Sequence, residues 1–199
     1  MVYKLIAEKI IELKKADLDL RDKLVRNGQL FEGYNREMEA LHNKNAEILN
    51  EIIDEIGYPT VEKVGAEANA AAWLVIQHSI GKPEFMKKCA ALLEKAVAED
   101  QADAKQQAYL SDRIAVFEGQ PQLYGTQFDW DENGEMSPKS FDDLEKVNRR
   151  RKAVGLNRLE EQIEIIRQQV AAEVEKPPAD LKERIKQADE WRKKVGWIK

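Results

Sequence analysis

One cysteine, two histidines and no apolar run near membrane length are what this chain has least of, and each scarcity closes a class of explanation. With Cys89 as the sole cysteine, no intramolecular disulfide and no cysteine-rich zinc site can form. Its setting, KKCAALLEKAV, has small apolar neighbours at helical spacing and predicts a buried structural thiol rather than a nucleophile. No apolar stretch approaches the roughly 20 residues that span a bilayer. Lys4, Glu8 and Lys9 interrupt the N-terminal MVYKLIAEKIIELKK, so it lacks a signal-peptide core, and a cytoplasmic location is expected. The two histidines, His42 and His78, are too few for a histidine-rich metal site. Metal is assigned to no residue, although a site of His78 with Asp112 and other carboxylates stays open, and the cofactor is unassigned.

Glycine and proline are also scarce, ten and six in 199 residues. Hydrophobic residues make up 43% and charged residues 35%, a balance that fits a helix-rich globular chain rather than a disordered one. A net charge of −5 gives no general attraction to nucleic acid or to anionic membranes, and neither is expected as a partner. The basic run Arg149-Arg150-Arg151-Lys152 follows Asp142, Asp143 and Glu145 and is expected to be a solvated or ion-paired face.

The period of the apolar residues predicts a mainly α fold, a multi-helix bundle of about seven helices, within a single domain 1–199. Leu5, Ile6, Ile10, Leu13, Leu20 and Leu24 mark one amphipathic helix. Met38, Leu41, Ile48, Leu49, Ile52 and Ile53 mark a second, closed by Gly57-Tyr58-Pro59, so residues 2–56 should form an antiparallel pair. The alanine-rich GAEANAAAWLVIQHS is apolar all round near its middle and is the expected centre of the core. Helices over 83–97 and 103–117 follow. Residues 121–138 lose the helical period and carry Asn133-Gly134, which predicts one short β-hairpin or ordered loop. Ser140 is the expected cap of a helix over 141–153. Residues 156–196 give two more helices, the first with a short coiled-coil seam through Leu159, Ile163, Ile166 and Val170. These are expected to pack on the N-terminal pair, or else to join two copies of the chain as a homodimer.

Three polar interruptions of this apolar text outline a candidate site: Gln77-His78, Asp112-Arg113 and QPQLYGTQ over 120–127. His78 leaves the apolar helix at its C-terminal end, where a cationic imidazole is favoured. It serves either as a general acid/base or as a core-edge histidine bonded to a backbone carbonyl. Asp112 and Arg113 project about 100° apart on a helix and must serve different neighbours. Asp112 is the candidate partner of His78 in catalysis. Arg113 is either an anion clamp or a tie holding the 119–128 segment by its carbonyls. Gln122, Tyr124, Thr126 and Gln127 offer amides and hydroxyls to a small polar or anionic ligand, or else fasten a hairpin to helices. Gly119 and Gly125 allow the backbone conformations such a loop needs. If extended, the segment would put Gln122, Tyr124 and Thr126 on one face and Gln127 on the other.

The segments GYPTVEKVG, AAWLVIQH and AYLSDRIAVFEGQPQLYGTQF, in this order, resemble a bacterial family of unknown function, DUF6624, with weaker likeness through RRKAVGLNRLEEQ. The likeness covers roughly residues 45–165. Members usually carry Trp where Tyr58 stands, and an acidic residue about two positions beyond QH, where this chain has Ser79-Ile80-Gly81. The resemblance implies shared architecture and a shared site without naming a reaction. No P-loop, HExxH, GxSxG, dinucleotide fingerprint or EF-hand loop is present. Two readings therefore stand: a small helical hydrolase or transferase, or polar-ligand binder, using these segments, and a non-catalytic interaction or regulatory module in which they are structural.

Overall fold

The computed structural model describes residues 3–29, 34–173 and 176–199. Residues 1–2, 30–33 and 174–175, at the margins of three expected helices, lie outside the described residues. The fold is mainly helical with one two-stranded antiparallel sheet, as the apolar period implies. Nine helices stand among the described residues, one of them a single turn. The chain divides into two compact units, residues 1–103 and 104–199.

The first unit holds α1 (Lys4–Arg26), α2 (Arg36–Ile56), the single turn α3 (Val61–Val64), α4 (Ala66–His78) and α5 (Pro83–Ala98). α1 buries Ala7, Ile10, Leu13, Asp17 and Leu24, the three- and four-residue steps that keep one stripe inward. α2 starts where the Asn35 side chain accepts from the backbone N–H groups of Glu37 and Met38, an N-cap that answers donors left open in the first turn. It runs antiparallel to α1: Leu13, Asp17 and Lys23 meet Asn45, His42 and Glu37 in that order. α4 is the centre, packed on α1, α2, α3 and α5, with Ala68, Ala71, Ala72, Val75 and Ile76 buried. Its alanines let neighbouring backbones approach, and the larger residues near its end fill the space beyond. α5 begins with Pro83 at its first position, where the missing N–H has no intrahelical acceptor to lose. Cys89 is fully buried on its inner face. Burial pushes its thiol up to about 12, so it is the structural thiol expected.

The second unit holds α6 (Ala104–Phe117), β1 (Phe128–Trp130), β2 (Met136–Pro138), α7 (Leu144–Ala153), α8 (Leu159–Ala172) and α9 (Leu181–Val195). The strands pair Phe128 with Pro138, Asp129 with Ser137 and Trp130 with Met136. Asp131 Oδ1 closes the turn by accepting from the backbone N–H groups of Asn133 and Glu135, and Gly134 has φ +73°. The hairpin is shorter than the expected segment, because residues 122–127 are engaged elsewhere. α7 begins three residues later than expected. Its cap is Asp143, which accepts from the Lys146 N–H, while the Ser140 carbonyl accepts from the Gln122 N–H. Along α8 only Leu159 is fully sequestered. α9 is fastened to the end of α6: the Arg192 guanidinium donates to the carbonyls of Val116 and Phe117, and Trp197 stacks on Phe117 at 5.1 Å between ring centres.

Candidate functional site

Of the sequence-derived site residues, Gln77 and His78 belong to the first unit, while Asp112, Arg113, Gln122, Tyr124, Thr126 and Gln127 belong to the second. In each unit a fully buried aspartate organises the polar groups around it, and the two arrangements are chemically different.

In the first unit the acid beside His78 is Asp17. His78 Nδ1 stands 2.8 Å from Asp17 Oδ2, and His42 Nε2 stands 3.0 Å from the same oxygen. The imidazole rings are 5.0 Å apart and tilted by 41°. The Tyr34 hydroxyl lies 2.7 Å from His42 Nδ1. Three helices supply the cluster: Asp17 from the buried stripe of α1, His42 from that of α2, and His78 from the last turn of α4. Asp17 is fully buried and His42 is 7% exposed, whereas the His78 side chain is 33% exposed. His78 therefore meets a carboxylate, not a backbone carbonyl, and keeps an open edge.

Burial alone would raise the Asp17 carboxyl. The close approach of His42, the His78 hydrogen bond and the charge those rings carry when protonated together outweigh burial and hold it well below the usual carboxylate range. Hydrogen bonding is nevertheless incomplete. Asp17 Oδ1 and His42 Nε2 are buried and make no hydrogen bond among the described residues: the Nε2 approach to Oδ2 is close but poorly directed. Asp17, His42 and His78 also offer one ligand atom each within 4.8 Å of one another. They are the residues here suited to hold a metal. Two histidines are too few for a histidine-rich site, but both stand here beside one acid, Asp17 rather than Asp112.

The sequence carried a signal for these residues. Asp17 interrupts the apolar stripe Ile10, Leu13, Leu24, and His42 interrupts Met38, Leu49, Ile52. A carboxylate or imidazole at a core position of an amphipathic helix needs a partner from another helix. Gln77, adjacent to His78, is 5% exposed, and its buried amide nitrogen makes no hydrogen bond among the described residues. Tyr58 is buried, with no hydrogen bond to its hydroxyl among the described residues, and burial pushes that phenol up. An open groove of about 310 Å³ on the α2–α5 side is lined by Ala46, Glu47, Asn50, Lys82, Phe85 and Lys88 among others. Its lysines are neutralised by Glu47 and Asp54.

In the second unit Asp112 is the hub of the GTQ loop. Its Oδ1 accepts from the N–H groups of Leu123 and Tyr124 at 2.8 and 3.1 Å. Its Oδ2 accepts from the Thr126 N–H at 2.9 Å and the Thr126 hydroxyl at 3.0 Å. Burial pushes the Asp112 carboxyl up, and these hydrogen bonds pull it part of the way back. Gln122 completes the fastening, donating to the carbonyls of Gln127 and Lys139 and accepting from the Gln127 N–H. Gln127 donates to the Thr126 hydroxyl oxygen. The segment is thus not an alternating strand. It wraps around a carboxylate, turning at Gly125 with φ +63°, where a Cβ would stand 2.9 Å from Leu159 Cδ2.

The arginine that ties this loop by its carbonyls is Arg151, not Arg113. Arg151 is 1% exposed and donates to the carbonyls of Tyr124 and Asn157 and to the Asn157 side chain. Only part of the basic run is the ion-paired face expected: Arg150 pairs with Asp142 at 2.8 Å, while Arg151 turns inward. Arg113 is partly buried, its Nε has no acceptor among the described residues, and burial lowers its affinity for its proton.

These features define a helical protein with a buried imidazole–carboxylate cluster in one unit and a carboxylate-centred loop in the other. The chain belongs to the family described as a family of unknown function (DUF6624), whose model matches residues 6–175. The match begins well before residue 45, and so takes in Asp17 and His42 as well as the QH and YGTQ segments. No curated protein and no solved structure matches the chain.

Proposed function

We propose that this chain is a bacterial, cytoplasmic helical protein that binds a small polar ligand and acts on it by hydrolysis or group transfer, with Asp17, His42 and His78 as its reactive centre. One observation carries the reading: two imidazoles share a single oxygen of a buried carboxylate, while the second oxygen and one ring nitrogen are buried without hydrogen bonds. Buried polar networks that serve only stability are normally satisfied, and the exceptions concentrate at working sites. In this reading Asp17 orients His78 through Nδ1, and the exposed edge of His78 meets the ligand. Gln77, with its unbonded amide, is the adjoining ligand-binding candidate. Arg113 is kept as a candidate anion holder in the second unit. We assign Asp112, Gln122, Tyr124, Thr126 and Gln127 to holding the loop, since their polar groups are largely spent on one another.

His78→Gln tests the reading, because the glutamine amide can still donate to Asp17 while the titrating ring is lost. The variant should melt within about 4 °C of the parent, about 1 kcal/mol for a chain of this size. A fall of more than about 8 °C would make His78 a structural residue and defeat the assignment. The interaction-module reading is favoured by Ile165 and Ile185, 43% and 49% exposed on α8 and α9. Strictly monomeric gel filtration at high concentration would remove its homodimer form.

A further inference from the structure

We infer that Asp17, His42 and His78 together bind one divalent first-row transition-metal ion, Zn²⁺ in the first instance, leaving coordination positions open on the His78 side. The inference rests on the cluster being the reactive centre and names the cofactor it would use. Two imidazoles and one carboxylate form a donor set suited to such ions. The spacing also fits. Ligands about 2.0–2.1 Å from one tetrahedral ion lie about 3.3–3.4 Å apart, and Asp17 Oδ2, now 2.8 Å from His78 Nδ1 and 3.0 Å from His42 Nε2, needs to open by only about half an ångström to admit one.

The unsatisfied atoms point the same way. A plain His–Asp–His network would direct both ring N–H groups at carboxylate oxygens, yet His42 Nε2 is out of line for a hydrogen bond and Asp17 Oδ1 has no donor. Both residues are more than nine-tenths buried, so bulk water does not answer these atoms. A cation in contact with Nε2 and Oδ2 engages the ring lone pair that hydrogen bonding leaves idle, and a carboxylate binding it through both oxygens brings in Oδ1 as well.

Tyr34 supplies the outer support such a site requires. With the Tyr34 oxygen accepting from His42 Nδ1–H at 2.7 Å, the ring proton is held on Nδ1 and the Nε2 lone pair faces Asp17. Three protein ligands with further positions free are the arrangement of catalytic rather than structural zinc. His78, a third exposed, marks the side from which water or a ligand arrives. A bound ion would polarise that ligand or acidify a water molecule.

The test uses the full chain, stripped with a chelator and titrated with ZnCl₂ by calorimetry, with Co²⁺ as a spectroscopic probe of imidazole coordination. One equivalent should bind with a Kd of about 1 μM or tighter, and Co²⁺ should develop visible ligand-field bands. His42→Gln, His78→Gln and Asp17→Asn should each weaken binding by more than about 100-fold. Tyr34→Phe, acting only through His42, should weaken it about tenfold. A Kd weaker than about 1 mM, or binding unchanged in His42→Gln, overturns the inference. If Zn²⁺ does not bind but His78→Gln melts with the parent, the metal is lost and the reactive-centre reading stands. If that variant also loses its stability, both fall. Should a ligand variant fail to fold, the Co²⁺ spectrum of the parent decides: no imidazole coordination, no site.

Discussion

Asp17 and Asp112 are both aspartates with no exposed surface, yet one sits well below the usual carboxylate range and the other above it. The difference lies in what surrounds them. Asp112 is met by three backbone N–H groups and a hydroxyl, neutral dipoles that satisfy its oxygens without offsetting the full cost of burying charge. Asp17 is met by two titratable rings that can carry compensating charge, and one of its oxygens goes unanswered. A saturated carboxylate is a fastener, fixing chain that has no other reason to hold its shape. An unsaturated carboxylate shared by imidazoles is poised for another species.

The largest expected effect tests this contrast directly. Asp112→Ala strands the N–H groups of Leu123, Tyr124 and Thr126 and should cost about 3–5 kcal/mol, a melting temperature lower by about 10 °C or more. Asp17→Asn, studied without metal, gives up the stability that its depressed carboxyl supplies at neutral pH, but the asparagine oxygen can still accept from a ring N–H, so the loss should stay at about 2 kcal/mol, below that of Asp112→Ala. Equal losses in denaturant or thermal melts would erase the distinction. Gly125→Ala should rank next, at about 2–4 kcal/mol, since it forces a side chain into a left-handed backbone and against Leu159. A loop that tolerates alanine there does not need the shape attributed to it. The smallest effect concerns a third acid, exposed at the start of α8. Arg158, with help from Asn148, lowers Glu160 from 4.5 to about 2. A depressed folded-state value means the contribution is present above pH 4.5 and disappears as pH falls through about 2. Glu160→Gln should thus melt slightly below the parent at neutral pH and equal to it near pH 2, by calorimetry across that range.

The architecture was largely legible because its signals are local. Apolar residues at three- and four-residue steps marked α1, α2 and α5, the alanine-rich text marked α4 as central, and Asn133-Gly134 marked the hairpin tip. What was not legible depends on residues far apart in the chain. No local pattern says that the donors of residues 123–126 converge on Asp112, and so an extended segment and an ordered loop both stay open from the sequence. Nor does the run Arg149–Lys152 reveal that Arg151 turns inward to Tyr124 and Asn157 while Arg150 pairs outward. At the site, His78 was found because it ends an apolar helix. Asp17 was passed over because it sits among the charges of KKADLDLRDK, although its position on the apolar stripe sets it apart from Asp19 and Asp22. Family likeness counted from residue 45 also began just beyond His42.

Because Asp17, His42 and His78 come from three helices, the first and the last 61 positions apart in the chain, the cluster is also a gauge of folding. No isolated helix or helix pair contains it. The loop-closure entropy spent in assembling α1, α2 and α4 is spent at the same moment in assembling the cluster. Any species that engages all three residues must therefore favour the assembled helices over the open chain, and the melting temperature should climb with the logarithm of its free concentration. Stability against concentration then becomes an assay for what this protein recognises, usable before any reaction is known.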